Sequence, residues 1–131
     1  MKLDHIGIAT ESLAKARALY KDFLGLELLE EEVVEKDRVR VASYNLGECR
    51  LELLEPLSPD SPVGKFLEKR GEGIHHICFE VKDIDETLKT LKGQGVPLID
   101  ESPRQGAHGR RIAFLHPRGT GGVLIELVQK S

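Results

Sequence analysis

Cysteine is almost missing from this 131-residue chain: Cys49 and Cys78 are the only two, too few for a disulfide framework. Both lie in alternating apolar stretches, where a free cysteine ordinarily serves as a small buried hydrophobe. A reducing, cytoplasmic setting is expected. Long hydrophobic runs are missing too. No stretch reaches the length of a signal core or a membrane span, so neither export nor insertion is expected. An excess of one charge is also absent. Nineteen Lys and Arg against 22 Asp and Glu leave a net charge of −3. That balance offers no footprint for nucleic acid or an anionic membrane. Asn and Gln are scarce while Glu and Lys abound, which fits a heat-adapted protein. What remains is a globular composition, 40% hydrophobic and 31% charged, in a chain long enough for one substantial core.

Two short stretches echo each other: Asp4-His5-Ile6-Gly7-Ile8-Ala9 and His75-His76-Ile77-Cys78-Phe79-Glu80. Each opens an alternating run and precedes a helical pattern. Each is followed by a strand with one glutamate among large apolar residues, Glu52 and Glu126. The separations are 47 residues from His5 to Glu52 and 50 from His76 to Glu126. Gly47 and Gly121 stand five positions before the two glutamates. Laying His5 on His76 also matches Ile6 with Ile77, Ile8 with Phe79 and Leu13 with Ile84, and Gly25 falls one place from Gly95. The pattern predicts a duplicated unit. One domain over 1–131 would hold a first module at 1–56, a linker with a short helix at 57–72 and a second module at 73–131.

Each module reads as β-α-β-β-β, an α+β class. In the first, 2–9 alternates as a strand. Thr10 or Ser12 caps a helix to about Leu24, striped by Leu13, Ala16, Leu19, Tyr20 and Phe23 and ended by Gly25. Strands are expected at 26–34, 38–46 and 49–55. Ser61-Pro62 starts the linker helix, 63–70. In the second module, strand 74–81 leads to a helix capped by Asp83 and Glu86 and closed by Gly93 and Gly95. Strands are expected at 96–101, 111–116 and 122–129, with a loop at 102–109.

Alternation puts His5, Gly7 and Ala9 on one strand face and Ile6 and Ile8 on the other. Glu52 and Glu126 likewise face away from their leucine and isoleucine neighbours. Alone, a histidine near a strand start is more often a packed side chain than a ligand, and a strand glutamate more often a solvated one. Buried together at matched places in two repeats, two carboxylates and two imidazoles need a common partner, and a divalent cation takes that donor set. His75 competes with His76, but parity and the alignment with His5 favour His76. His108 and His116 are weaker ligand candidates.

This frame resembles the vicinal oxygen chelate superfamily and, within it, the methylmalonyl-CoA epimerase family. The resemblance rests on the stretches 4–9, 52–56, 60–63, 65–67, 73–78, 106–109, 114–117 and 122–127. The fragments His75-His76-Ile77-Cys78, Gly106-Ala107-His108-Gly109 and Phe114-Leu115-His116-Pro117 are the most specific. It implies paired modules forming a curved, largely antiparallel sheet that cups a metal. The implied ligands are His5, Glu52, His76 and Glu126. The implied ion is divalent, cobalt first, with zinc, manganese or nickel as alternatives. The implied reaction interconverts (R)- and (S)-methylmalonyl-CoA, in a homodimer. Some members carry a further glutamate, a proposed base, where this chain has 37–41 without one.

Inversion at a carbon needs a base on one face and an acid on the other. Glu126 and Glu52 are the candidates, although ligation lowers their basicity. Glu35 or a water could serve on the Glu52 side. Lys65, Lys69, Arg70, Arg104, His108, Arg110 and Arg111 could meet coenzyme A phosphates or the free carboxylate, with surface solvation the commoner role. Another enzyme on the same frame, such as glyoxalase I or an extradiol dioxygenase, and a non-catalytic binding module are the competing expectations.

Overall fold

The computed structural model describes residues 1–131. The chain forms two compact units, His5–His75 and Met1–Asp4 with His76–Ser131.

In the first unit, strand β1 (Lys2–Ala9) enters at His5 and leads to helix α1 (Leu13–Arg17). Of the two expected caps it is Ser12 that acts, its hydroxyl accepting the Lys15 N–H at 3.2 Å. The helix widens into a turn over Ala18–Phe23. Gly25 follows at φ 73, a conformation a side chain would resist. Strands β2 (Glu27–Val34), β3 (Val39–Asn45) and β4 (Arg50–Pro56) form an antiparallel ladder, and β4 runs parallel to β1. Helix α2 (Pro62–Arg70) starts on Ser61, whose hydroxyl accepts the Gly64 N–H at 3.1 Å.

The period of two sorts this unit into two apolar layers. Ile6, Ile8, Ala42, Tyr44, Leu51 and Leu53 pack with Leu13 and Ala16 of α1. Ala9, Val39, Val41 and Leu54 pack with Val63, Phe66 and Leu67 of α2. Strand parity therefore puts His5, Gly7, Ser43 and Glu52 on the face whose far end α2 covers. Gly64 lets the preceding linker fold against the first turn of α2: a Cβ there would lie 2.6 Å from the carbonyl oxygens of Ser58 and Pro59.

In the second unit, β5 (Gly73–Glu80) continues from His76 into helix α3 (Ile84–Gly93). Asp83 caps it, accepting the Glu86 N–H at 3.1 Å. Strand β8 (Ile125–Gln129) runs parallel to β5 and antiparallel to β7 (Arg111–Leu115), which pairs with the two-residue β6 (Arg104–Gln105). Val81, Ile84, Leu88, Ala113, Leu115 and Leu127 form the core beneath α3. Cys78, Ile112, Phe114 and Val128 line the other face.

Two expectations shift here. Residues 96–101 form no strand, only a bridge between Leu98 and Leu115. Pro97 has no N–H to give, and the Asp100 carboxylate takes the Phe114 N–H at 2.8 Å, replacing a ladder bond with a side-chain one. The last strand begins at Ile125 rather than 122, because Gly121 and Gly122 turn the backbone at φ 71 and 92. The order β-α-β-β-β survives both shifts, with the second strand of this module reduced to β6, which forms inside the stretch expected as a loop. No helix is long and apolar enough to cross a membrane.

Candidate active site

The strand holding each histidine lies parallel to the strand holding the glutamate of the same unit. The register is identical in both. Gly7, two residues after His5, pairs with Glu52, and Cys78, two after His76, pairs with Glu126. Both pairs are buried, with exposures of 5% and 4% for His5 and Glu52 and of 5% and 7% for His76 and Glu126. In the first unit His5 Nε2 lies 3.3 Å from Glu52 Oε1. In the second His76 Nε2 lies 3.0 Å from Glu126 Oε1. The sequence-derived candidates therefore meet within each unit, His5 with Glu52 and His76 with Glu126.

Those spacings test the fit of a cation. Ligand bonds of about 2.0–2.2 Å at tetrahedral or octahedral angles put neighbouring N and O donors roughly 2.8–3.5 Å apart. Both pairs fall inside that span, and both present Nε2 to a carboxylate oxygen. Each could hold part of the coordination sphere of a divalent ion without rearrangement of the backbone. Cobalt, zinc, manganese and nickel all accept this N/O donor set.

The surroundings of the two pairs differ. Arg50 Nη2 lies 3.1 Å from Glu52 Oε2 and 3.4 Å from His5 Nδ1. A guanidinium only donates, so His5 Nδ1 can enter that contact only as the acceptor. The ion pair to Glu52 is close but poorly aligned, and Oε2 makes no hydrogen bond. Across the antiparallel ladder, Ser43 stands opposite Glu52. In the second unit Phe114 stands opposite Glu126, its ring meeting His76 edge-on at 5.9 Å. Arg104 lies over the other reach of that ring at 5.5 Å, 3.4 Å from Asp100.

The remaining candidates separate. His75 belongs to the first unit and packs edge-on against Phe66 at 5.0 Å. Parity thus parts the two adjacent histidines, with His76 beside its glutamate. His116 accepts the Arg118 N–H at 3.0 Å and caps a turn. His108 sits in the 107–109 turn at φ 61. Glu35 is exposed in the turn between β2 and β3, and Val39 and Val41 of β3 are buried apolar residues. Arg111 pairs with Asp85 at 2.8 Å, and Arg70 lies over Phe66.

Sequence reasoning missed Arg50, Ser43 and Phe114. A signal existed for Ser43: the Leu46–Cys49 turn pairs Asn45 with Arg50, and counting inward by two residues on each side brings 43 opposite 52.

Residues 4–114 match the model of the Glyoxalase/Bleomycin resistance protein/Dioxygenase superfamily, and the chain belongs to that superfamily. The mitochondrial methylmalonyl-CoA epimerase of Bos taurus is 43% identical over 98% of this chain and 74% of its own. The crystal structure of methylmalonyl-CoA epimerase from Mycobacterium tuberculosis superposes with a TM-score of 0.94 at 40% identity, covering 99% of this chain and 88% of that one. A methylmalonyl-CoA epimerase solved with methylmalonyl-CoA and NH4+ is 41% identical, with a TM-score of 0.94 over 99% and 94% of the two chains. Within the superfamily the chain is an enzyme of the methylmalonyl-CoA epimerase family.

Proposed function

We propose that the chain interconverts (R)- and (S)-methylmalonyl-CoA, with His5, Glu52, His76 and Glu126 as ligands of one divalent cation, cobalt in the first instance. The observation that carries the reading is the repeated pair. In each unit a buried imidazole faces a buried carboxylate at ligand spacing and in the same register. Family membership supplies the substrate class.

The substrate carbon to be inverted lies between a thioester carbonyl and a carboxylate. When bound, the cation supplies positive charge for the thioester oxygen as the α-proton leaves. Glu126 takes or returns the proton on one face of the carbon, and Glu52 acts on the other. Glu126 sits beside His76, with Phe114 and Cys78 opposite it on the neighbouring strands. Glu52 sits beside Arg50, at 3.1 Å. The family resemblance also supports a cytoplasmic homodimer; light scattering checks the assembly.

The test is exchange of the α-proton in deuterated water, starting from each stereoisomer, with the cobalt-loaded wild type, Glu52→Gln and Glu126→Gln. Each variant should lose exchange from one stereoisomer more than from the other. Unchanged rates from both would remove the two carboxylates from the reaction. A parallel assay with methylglyoxal and glutathione should show no turnover.

A further inference from the structure

Ser43 is 1% exposed, and its hydroxyl makes no hydrogen bond. A position that needed only a small packing residue would take alanine, because a buried hydroxyl without a partner costs free energy. Strand β3 makes this one costly by placing it on the face shared with His5, Gly7 and Glu52. Gly7, on the other side of Glu52, carries no side chain. The equivalent position in the second unit is filled by the ring of Phe114. The first unit thus keeps a small, unpaired donor where the second keeps a hydrophobic plug.

We infer that Ser43 is a substrate-binding residue, whose hydroxyl donates to an oxygen of the free carboxylate of a malonyl-type thioester. This rests on the epimerase reading above. The chemistry selects the carboxylate. It is the one anionic group near the reacting carbon, and its oxygens are strong acceptors for a neutral donor. Glu52 across the ladder has no proton to share in its ionised form, so it cannot satisfy that oxygen itself. A hydroxyl can bind the carboxylate without adding charge to a site already holding Arg50.

The experiment compares wild type with Ser43→Ala, both loaded with Co2+. Equilibrium affinity is measured for methylmalonyl-CoA and for propionyl-CoA, which has the same thioester and no carboxylate. The thermal midpoint of each metal-free protein is measured alongside. Methylmalonyl-CoA should bind the variant about tenfold more weakly or worse, as expected for a hydrogen bond to a charged group. Propionyl-CoA should bind both proteins alike, and the midpoint should hold or rise, since an unsatisfied hydroxyl has been removed. Equal weakening for both ligands, no weakening for either, or a lowered midpoint would overturn the assignment. Wild type that binds propionyl-CoA but not methylmalonyl-CoA would sink the epimerase reading, and this inference with it. Wild type that binds both, with an unaltered Ser43→Ala, would sink the inference alone.

Discussion

In the first unit the residue facing the site glutamate across the antiparallel ladder is Ser43; in the second it is Phe114. Two positions before the glutamate stands Arg50 in one unit and Leu124 in the other. Beside it across the parallel ladder stands Gly7 in one and Cys78 in the other. The imidazole–carboxylate pairs themselves are nearly superimposable in spacing and burial. Duplication therefore preserves the part that suits a cation and lets the neighbours diverge. One half is polar beside its glutamate, the other apolar.

The largest effect that could break this comparison is on the rate. Glu126→Gln should cut turnover by about 10²–10⁴-fold, the range for losing a general acid–base group. Glu52→Gln should cut it less, because the Glu52 carboxylate is already engaged by the Arg50 guanidinium at 3.1 Å. Equal losses in steady-state assays would show that the surroundings do not divide the labour.

Stability should be shared evenly where the units match. Leu53 and Leu127 each follow a site glutamate by one residue, with 0% and 3% exposure. Leu53→Ala and Leu127→Ala should each cost about 2–5 kcal/mol, read as shifts of the urea midpoint. A difference beyond that range would mean that one half carries the fold.

A smaller effect is expected at Gly64, which has no counterpart in the second unit. Alanine there drives a methyl into two backbone carbonyls 2.6 Å away. Loosening α2 should cost about 1–3 kcal/mol by chemical denaturation. Glu126→Gln should share none of that loss.

The smallest effect is a pH dependence confined to the first unit. The Glu11 backbone N–H, and then the Thr10 hydroxyl, hold Glu72 below the ordinary carboxylate value of 4.5. Folding favours the ionised form, so the contribution is full above about pH 4.5. It is lost as pH falls through the lowered value. The group is exposed and screened, so Glu72→Gln should remove only a few tenths of a kcal/mol. The wild-type and variant stability curves should converge in acid. Divergence below pH 4 would contradict the sign.

Much of the fold was legible because local rules and packing agreed. The strand carrying His5, the Ser61-Pro62 helix start and the Asp83 cap all form where their residues called for them. The stretch 96–101 failed because β-branched and apolar residues there were outvoted by Pro97 and by Asp100, whose partner is the distant Phe114 amide. The pairing of His5 with Glu52 and of His76 with Glu126 was readable from spacing and parity. Arg50 and Ser43 were not picked out, because an arginine and a serine in a strand look like surface residues until the partner strand is in place.

By itself the sequence determined the twofold copy, the alternation that turns each site residue away from the leucines, and the donor types available to a cation. Those follow from residue identity and a backbone period of two, which need no partner strand. Only the tertiary structure decided which residue stands opposite each glutamate, and with it whether the space there holds a hydroxyl or a ring. That choice depends on the register between strands, and register is set by the turns and by the burial of a whole face at once.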